Sequence, residues 1–156
     1  MNKTKLIRII LFILIVLWAL LVFYMSSQTG EESSGISRKI VELFIKDENL
    51  VELVERYIRK LAHFSEYAVG GVLFLLLFYT YNWTDKRKMI TSVGLGFWYA
   101  MTDEVHQLMV SQRNGSIVDV YIDTLGVATG VCMTLLIIKI ILLIKNRKEV
   151  KNNKSM

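Results

Sequence analysis

The residues best suited to chemistry fall in three short runs of this 156-residue chain. KLAHFSEY holds Lys60, His63, Glu66 and Tyr67; TDEVHQ holds Asp103, Glu104, His106 and Gln107; VDVYID holds Asp119 and Asp123. Ser26, Ser27 and Gln28 precede the first run, and Arg113 lies between the second and the third. On a helix, Lys60, His63 and Tyr67 share a face at i, i+3, i+7, with Glu66 on the adjoining stripe. Asp103 stands at i, i+3 and i, i+4 to His106 and Gln107, and Asp119 and Asp123 are one turn apart.

A histidine can move a proton near neutral pH, so His63 is a candidate general acid or base, with Asp103 or Glu66 to orient it. Arg113 and Lys60 can hold a phosphate or carboxylate, the arginine as a planar fork. Asp119 and Asp123 can orient a second group or hold a metal. The catalytic candidates are therefore His63, Glu66, Asp103, Glu104, Asp119 and Asp123. The ligand-binding candidates are Ser27, Gln28, Lys60, Tyr67, His106, Gln107 and Arg113. Phosphate-ester or acyl chemistry fits these parts, although Ser26 and Ser27 sit in no recognisable nucleophile setting. His63, Glu66, Asp103, His106, Asp119 and Asp123 offer nitrogen and oxygen metal ligands. HFSE is not HExxH, and no motif specifies a metal or another cofactor.

The elements that must position these groups are apolar. The chain is 53% hydrophobic, with no proline and one cysteine, Cys132; its mean hydropathy is +0.42. A disulfide within the chain and a CxxC zinc or redox site are excluded. Four apolar segments are long enough to cross the roughly 30 Å hydrocarbon layer: about residues 6–25, 61–81, 89–110 and 118–144. The fourth is long enough to tilt. The first has a basic start, but its run is too long for a secretory h-region and no small-x-small cleavage pattern follows, so it reads as an uncleaved span.

The net charge of +5 does not point to nucleic acid, because the basic residues sit mostly at the edges of apolar runs. Eleven of them fall in the N-terminus, the loop around Lys86–Arg87–Lys88 and the tail, against six in the loop from Ser26 to Lys60, which also carries seven acids. The positive-inside rule then gives cytoplasmic termini. Within the long outer loop, Ile36, Ile40, Leu43 and Phe44, and then Leu50, Val54, Tyr57, Ile58 and Leu61, recur at helical spacing. They predict two short amphipathic helices on the membrane surface or a small cap over the bundle, the second starting at an Asn49 N-cap with Glu52.

The expected architecture is an all-α, four-span membrane protein, residues 1–156 in one domain, with an amphipathic helical loop between the first two spans. Every span then brings polar groups to the outer leaflet, while the inner half has almost none. A charge at mid-membrane costs about 2.5–3.5 kcal/mol, so the groups are expected to face inward and meet. Gly126 and Gly130 form a small-xxx-small face, and Gly70–Gly71 and Gly94-x-Gly96 can serve the same close packing.

YMSSQ, RKLAHFSEYAVGG, YAMTDEVHQ, a short turn carrying Arg113 and DVYIDTLGVATG, in this order from about Tyr24 to Gly130, resemble the VanZ-like family. Its motif positions map to Ser27, Gln28, Lys60, His63, Glu66, Tyr67, Asp103, Glu104, Gln107, Arg113, Asp119, Asp123 and Gly126. Members often carry Pro-Gly before the arginine, whereas this chain has Ser111–Gln112. The resemblance implies a bacterial integral membrane protein, and its founding member is associated with low-level resistance to teicoplanin, a glycopeptide with a fatty acyl tail.

Several roles stay open. The cluster can modify a lipid or lipid-linked head group. It can bind an acylated ligand without chemistry, or it can simply tie four helices together. Transport needs polar groups through the whole bilayer, which the apolar inner half does not supply. The expected partners are a membrane lipid, a lipid-linked head group or an acylated glycopeptide; oligomeric state is not specified.

Overall fold

The computed structural model describes residues 2–113 and 115–154. Among them there are five helices and no strand: α1 (Lys3–Ser26), α2 (Gly30–Glu42), α3 (Glu48–Tyr79), α4 (Asp85–Gln107) and α5 (Ile117–Lys154). By length and composition, α1, α3 and the part of α5 from Ile117 to Val150 can cross a membrane. α4 has the length but not the composition, because Asp85 to Lys88 open it and Asp103, Glu104, His106 and Gln107 close it.

α1 is apolar on all sides and buries only Trp18, Val22 and Ser26, one stripe at i, i+4, i+8. Phe12 and Leu20 on its other faces are about 60% exposed (62% and 59%), as lipid-facing side chains are. Trp18 anchors the helix: its indole N–H donates to the Glu66 carbonyl at 2.8 Å, and its ring meets Tyr67 and Phe74 edge-on. Across the bundle, the Tyr99 hydroxyl donates to the Ala19 carbonyl.

The second amphipathic run of the long loop is not a separate helix. It is the first part of α3, whose 32 residues reach about 48 Å at 1.5 Å per residue. No glycine or proline interrupts 48–69, so nothing stops the helix at the start of the apolar run. Its N-cap is Asp47 rather than Asn49: Asp47 Oδ1 accepts the backbone N–H groups of Asn49 and Leu50 at 3.0 and 3.3 Å. α2 folds back on this extension, with Val41 and Val51 buried and Arg38 pairing with Glu42 at 2.6 Å and Glu48 at 3.6 Å.

α5 lies closest to α3. A Cβ on Gly126 would strike the Phe64 carbonyl, one on Gly130 the Ala68 carbonyl, and one on Gly71 the Val127 carbonyl. Backbones therefore approach closely where a glycine of one helix faces a backbone carbonyl of the other. Gly70 makes room for the Trp18 ring and Gly96 for Val127, whereas a Cβ on Gly94 would meet nothing within 4 Å. The expected packing role thus holds for Gly70, Gly71, Gly96, Gly126 and Gly130, but not for Gly94.

The two ends of the bundle are chemically different. At one end, the Arg8 guanidinium donates to the Thr80 hydroxyl at 3.0 Å and to its carbonyl at 2.6 Å and lies 4.0 Å above the Tyr81 ring. Arg87 covers Trp83, and Lys88 covers Tyr79. At the other end lie the candidate functional residues.

Candidate functional site

α1 stops at Ser27, where the Arg113 guanidinium reaches back from the 108–116 turn, donating from Nε to the Gln28 carbonyl at 3.0 Å and from Nη2 to the Met25 carbonyl at 3.1 Å. A cation on the exposed carbonyls of a helix C-terminus satisfies them and opposes the negative end of the helix dipole. Burial and the nearby Arg59 lower the Arg113 pKa, against the pull of Asp103, Glu104 and Glu66. An arginine stays charged under such a shift.

The turn itself is held by Glu104, whose Oε2 accepts the Ser116 backbone N–H at 2.7 Å. Gln112 adopts φ 60°, the left-handed region that favours glycine. That is the residue immediately before Arg113, so the turn bears the strain there.

Behind the turn is a cavity of about 210 Å³ lined by Arg59, Lys60, His63, Glu104, Gln107, Gln112, Arg113, Asp119, Ile122 and Asp123. α3 contributes the cations and the histidine, α4 and α5 the acids, and the turn Arg113. At the rim, Lys60 Nζ lies 3.3 Å from Asp119 Oδ1. Inside, Asp123 is fully buried and neither of its carboxylate oxygens has a hydrogen-bond partner among the described residues. Asp103 is 4% exposed; the Gln107 amide donates to its Oδ2 at 3.0 Å, while its Oδ1 has no partner. His63 Nδ1 is buried without a partner as well.

Asp103, Glu104 and Asp123 each bring a carboxylate oxygen within 4.8 Å of the other two. Two full negative charges at that separation repel by about 3–4 kcal/mol at an effective dielectric of about 20. None of the ion pairs among the described residues includes these three acids. Arg113 is within electrostatic reach of Asp103 and Glu104 without forming one of these pairs.

The thirteen candidates read from the sequence divide into three groups. Lys60, His63, Glu104, Gln107, Arg113, Asp119 and Asp123 line the cavity. Asp103 and Tyr67 are buried beside it, with Tyr67 at 0% exposure and close to Asp103 and Asp123. Ser27, Gln28, His106 and Glu66 do not line it. His106 stacks on Phe23, with ring centroids 4.4 Å apart, and meets the Ser27 hydroxyl at 3.2 Å. Gln28 serves through its carbonyl. The Glu66 side chain is within electrostatic reach of Asp103 and Arg113. Arg59, Gln112 and Ile122 are lining residues not singled out from the sequence. Arg59 had a signal, since it stands at i, i+4 to His63 on the same helix.

Apolar helices of spanning length, joined by ionisable residues that gather at one end, define a multi-pass helical membrane protein. A model of the VanZ/LLP1 family matches residues 11–141, so the chain belongs to that family. No curated protein and no solved structure is detectably similar to it.

Proposed function

We propose that this protein is a four-span envelope protein that holds the anionic head group of an acylated molecule in an outer-leaflet pocket, and thereby contributes to glycopeptide (teicoplanin) resistance. One observation carries the reading. Arg59, Lys60 and Arg113 share a cavity with His63 and a buried, unpartnered Asp123. Cations at a pocket mouth and apolar helix faces beside it suit a molecule with a charged head and a fatty tail. The ligand would be a lipid, a lipid-linked head group or the acylated glycopeptide itself.

The fourth span is α4. Its 23 residues are about 35 Å long, and it runs from the Arg8 end to the His106–Ser27 contact beside the end of α1. Charges at both of its ends then lie at the two membrane surfaces. The basic N-terminus, the loop of Lys86 to Lys88 and the tail face the cytoplasm by the positive-inside rule, and the pocket faces out.

A second reading, an enzyme acting on the head group, is favoured by His63. His63, with an unpartnered Nδ1, and Asp123 line one cavity, so both could reach a head group held there. Arg113 and Lys60 would hold the phosphate or carboxylate during reaction.

Cells carrying wild type, His63→Ala or Asp103→Asn test the proposal through teicoplanin susceptibility, with membrane abundance measured alongside and tail-free vancomycin as control drug. Protection from teicoplanin alone, lost in the variants at normal abundance, is the expected result. Loss that follows abundance would reduce the cluster to a structural tie. No protection by the wild type would remove the drug from the proposal.

A further inference from the structure

Glu104 and Asp123, which line the pocket, and Asp103, buried beside it, are arranged for more than a head group. Their ligand-type oxygens lie within 4.8 Å of one another. Opposite ligands of a calcium ion at about 2.3–2.6 Å stand about 4.6–5.2 Å apart, and those of magnesium at about 2.0–2.1 Å stand about 4.0–4.2 Å apart. The cluster is thus already at the size of an oxygen coordination sphere.

Two of the acids are also held by neighbours in the manner of metal ligands. Gln107 fixes Asp103 through Oδ2 and leaves Oδ1 without a partner. Ser116 fixes Glu104 through Oε2. Donors of this kind orient ligating carboxylates. Asp123 keeps both oxygens uncommitted at zero exposure.

An independent group points into the same place. The Tyr67 hydroxyl, on a different helix, is fully buried beside Asp103 and Asp123; it leans on Asp103, and nothing outside the acids satisfies it. The Coulomb repulsion among the acids is not met by an ion pair from Lys60, which is spent on Asp119. A divalent cation would offset that repulsion.

We propose that Asp103, Glu104 and Asp123 bind one hard divalent cation, of the calcium, magnesium or manganese type, at the junction of α4 and α5. All-oxygen ligation selects this class over the softer metals. The inference deepens the pocket reading, since the cation would form the floor on which an anionic head group rests. The carboxylates alone define it, however, and it does not depend on what the head group is.

The test uses full-length protein in detergent, stripped of metal and titrated with Mn²⁺ by electron paramagnetic resonance, with Ca²⁺ and Mg²⁺ as competitors. The expected result is one saturable Mn²⁺ per chain, displaced by a competitor. Asp123→Asn should weaken it by more than about 10-fold, since even outer-shell changes cost about 10–100-fold. Asp85→Asn, at the opposite end of the bundle, should keep the affinity. Circular dichroism verifies that each variant is folded; should Asp123→Asn not fold, Glu104→Gln, which keeps an acceptor for the Ser116 N–H, takes its place with the same expected loss. No saturable binding by wild type, or unchanged binding in folded Asp123→Asn, would overturn the proposal. Cation binding by a wild type that protects no cells would retain the cation site and discard the resistance reading. Protection without cation binding would do the reverse.

Discussion

At the scale of single residues, Arg113 has the most to answer for. It joins the 108–116 turn to the end of α1 through two backbone carbonyls and lines the cavity at the same time. Arg113→Ala should therefore lower stability by about 1–3 kcal/mol, the range for hydrogen bonds from a charged group, as read from thermal unfolding in detergent. Arg113→Lys keeps the charge and loses the fork, so it should recover only part of that. Equal stability for all three proteins would mean that the cap contributes nothing. Next to it, Gln112 carries the left-handed φ. Gln112→Gly should stabilise the turn by about 0.5–1 kcal/mol, the left-handed cost of an L-residue less the extra chain entropy of glycine. A destabilised Gln112→Gly protein would show that the Gln112 side chain matters more than its backbone.

At the scale of elements, the α3–α5 contact is set by backbone approach rather than by side-chain size. Gly130→Val would press two methyl groups toward the Ala68 carbonyl, and overpacking of this kind costs about 1–3 kcal/mol. Gly94→Ala is the internal contrast: its Cβ meets nothing, and alanine in place of helical glycine gains up to about 1 kcal/mol. If melting temperatures moved equally for the two, helix propensity and not contact would be governing. The start of α3 is a further test. Asp47→Ala removes the acceptor for two backbone N–H groups and should cost about 1 kcal/mol. The loss should be local, seen as faster hydrogen exchange at Asn49 and Leu50 with the rest of α3 unchanged. A global change would mean that the extension and the spanning part of α3 unfold as one.

At the scale of the whole molecule, the opposite ends predict a topology. In a Cys132→Ser background, cysteine at Phe44 should react with a membrane-impermeant maleimide on intact spheroplasts. Cysteine at Lys148 should react only after permeabilisation. The reverse pattern would invert the protein and put the pocket in the cytoplasm.

Much of this molecule could be read from residue order. Hydropathy located α1, α3 and α5, since a helix that satisfies its own backbone is the structure an apolar run takes in lipid. Charge clusters placed Lys60, His63, Glu104, Gln107, Arg113, Asp119 and Asp123 at one level, because helical spacing and span direction are local properties. Packing decided the rest. Arg113 caps α1 although 85 positions separate it from Gln28, and His106, which looks like a ligand in the chain, is spent on Phe23 and Ser27. The uninterrupted α3 also depends on its surroundings, since polar and apolar halves of one helix read as two until α2 is seen resting on the first. Three carboxylates from two helices converge because Gly96 of α4 leaves room for Val127 of α5, which brings Asp123 to Asp103 and Glu104. Periodicity states which face a side chain occupies; only the contact between helices states what that face meets.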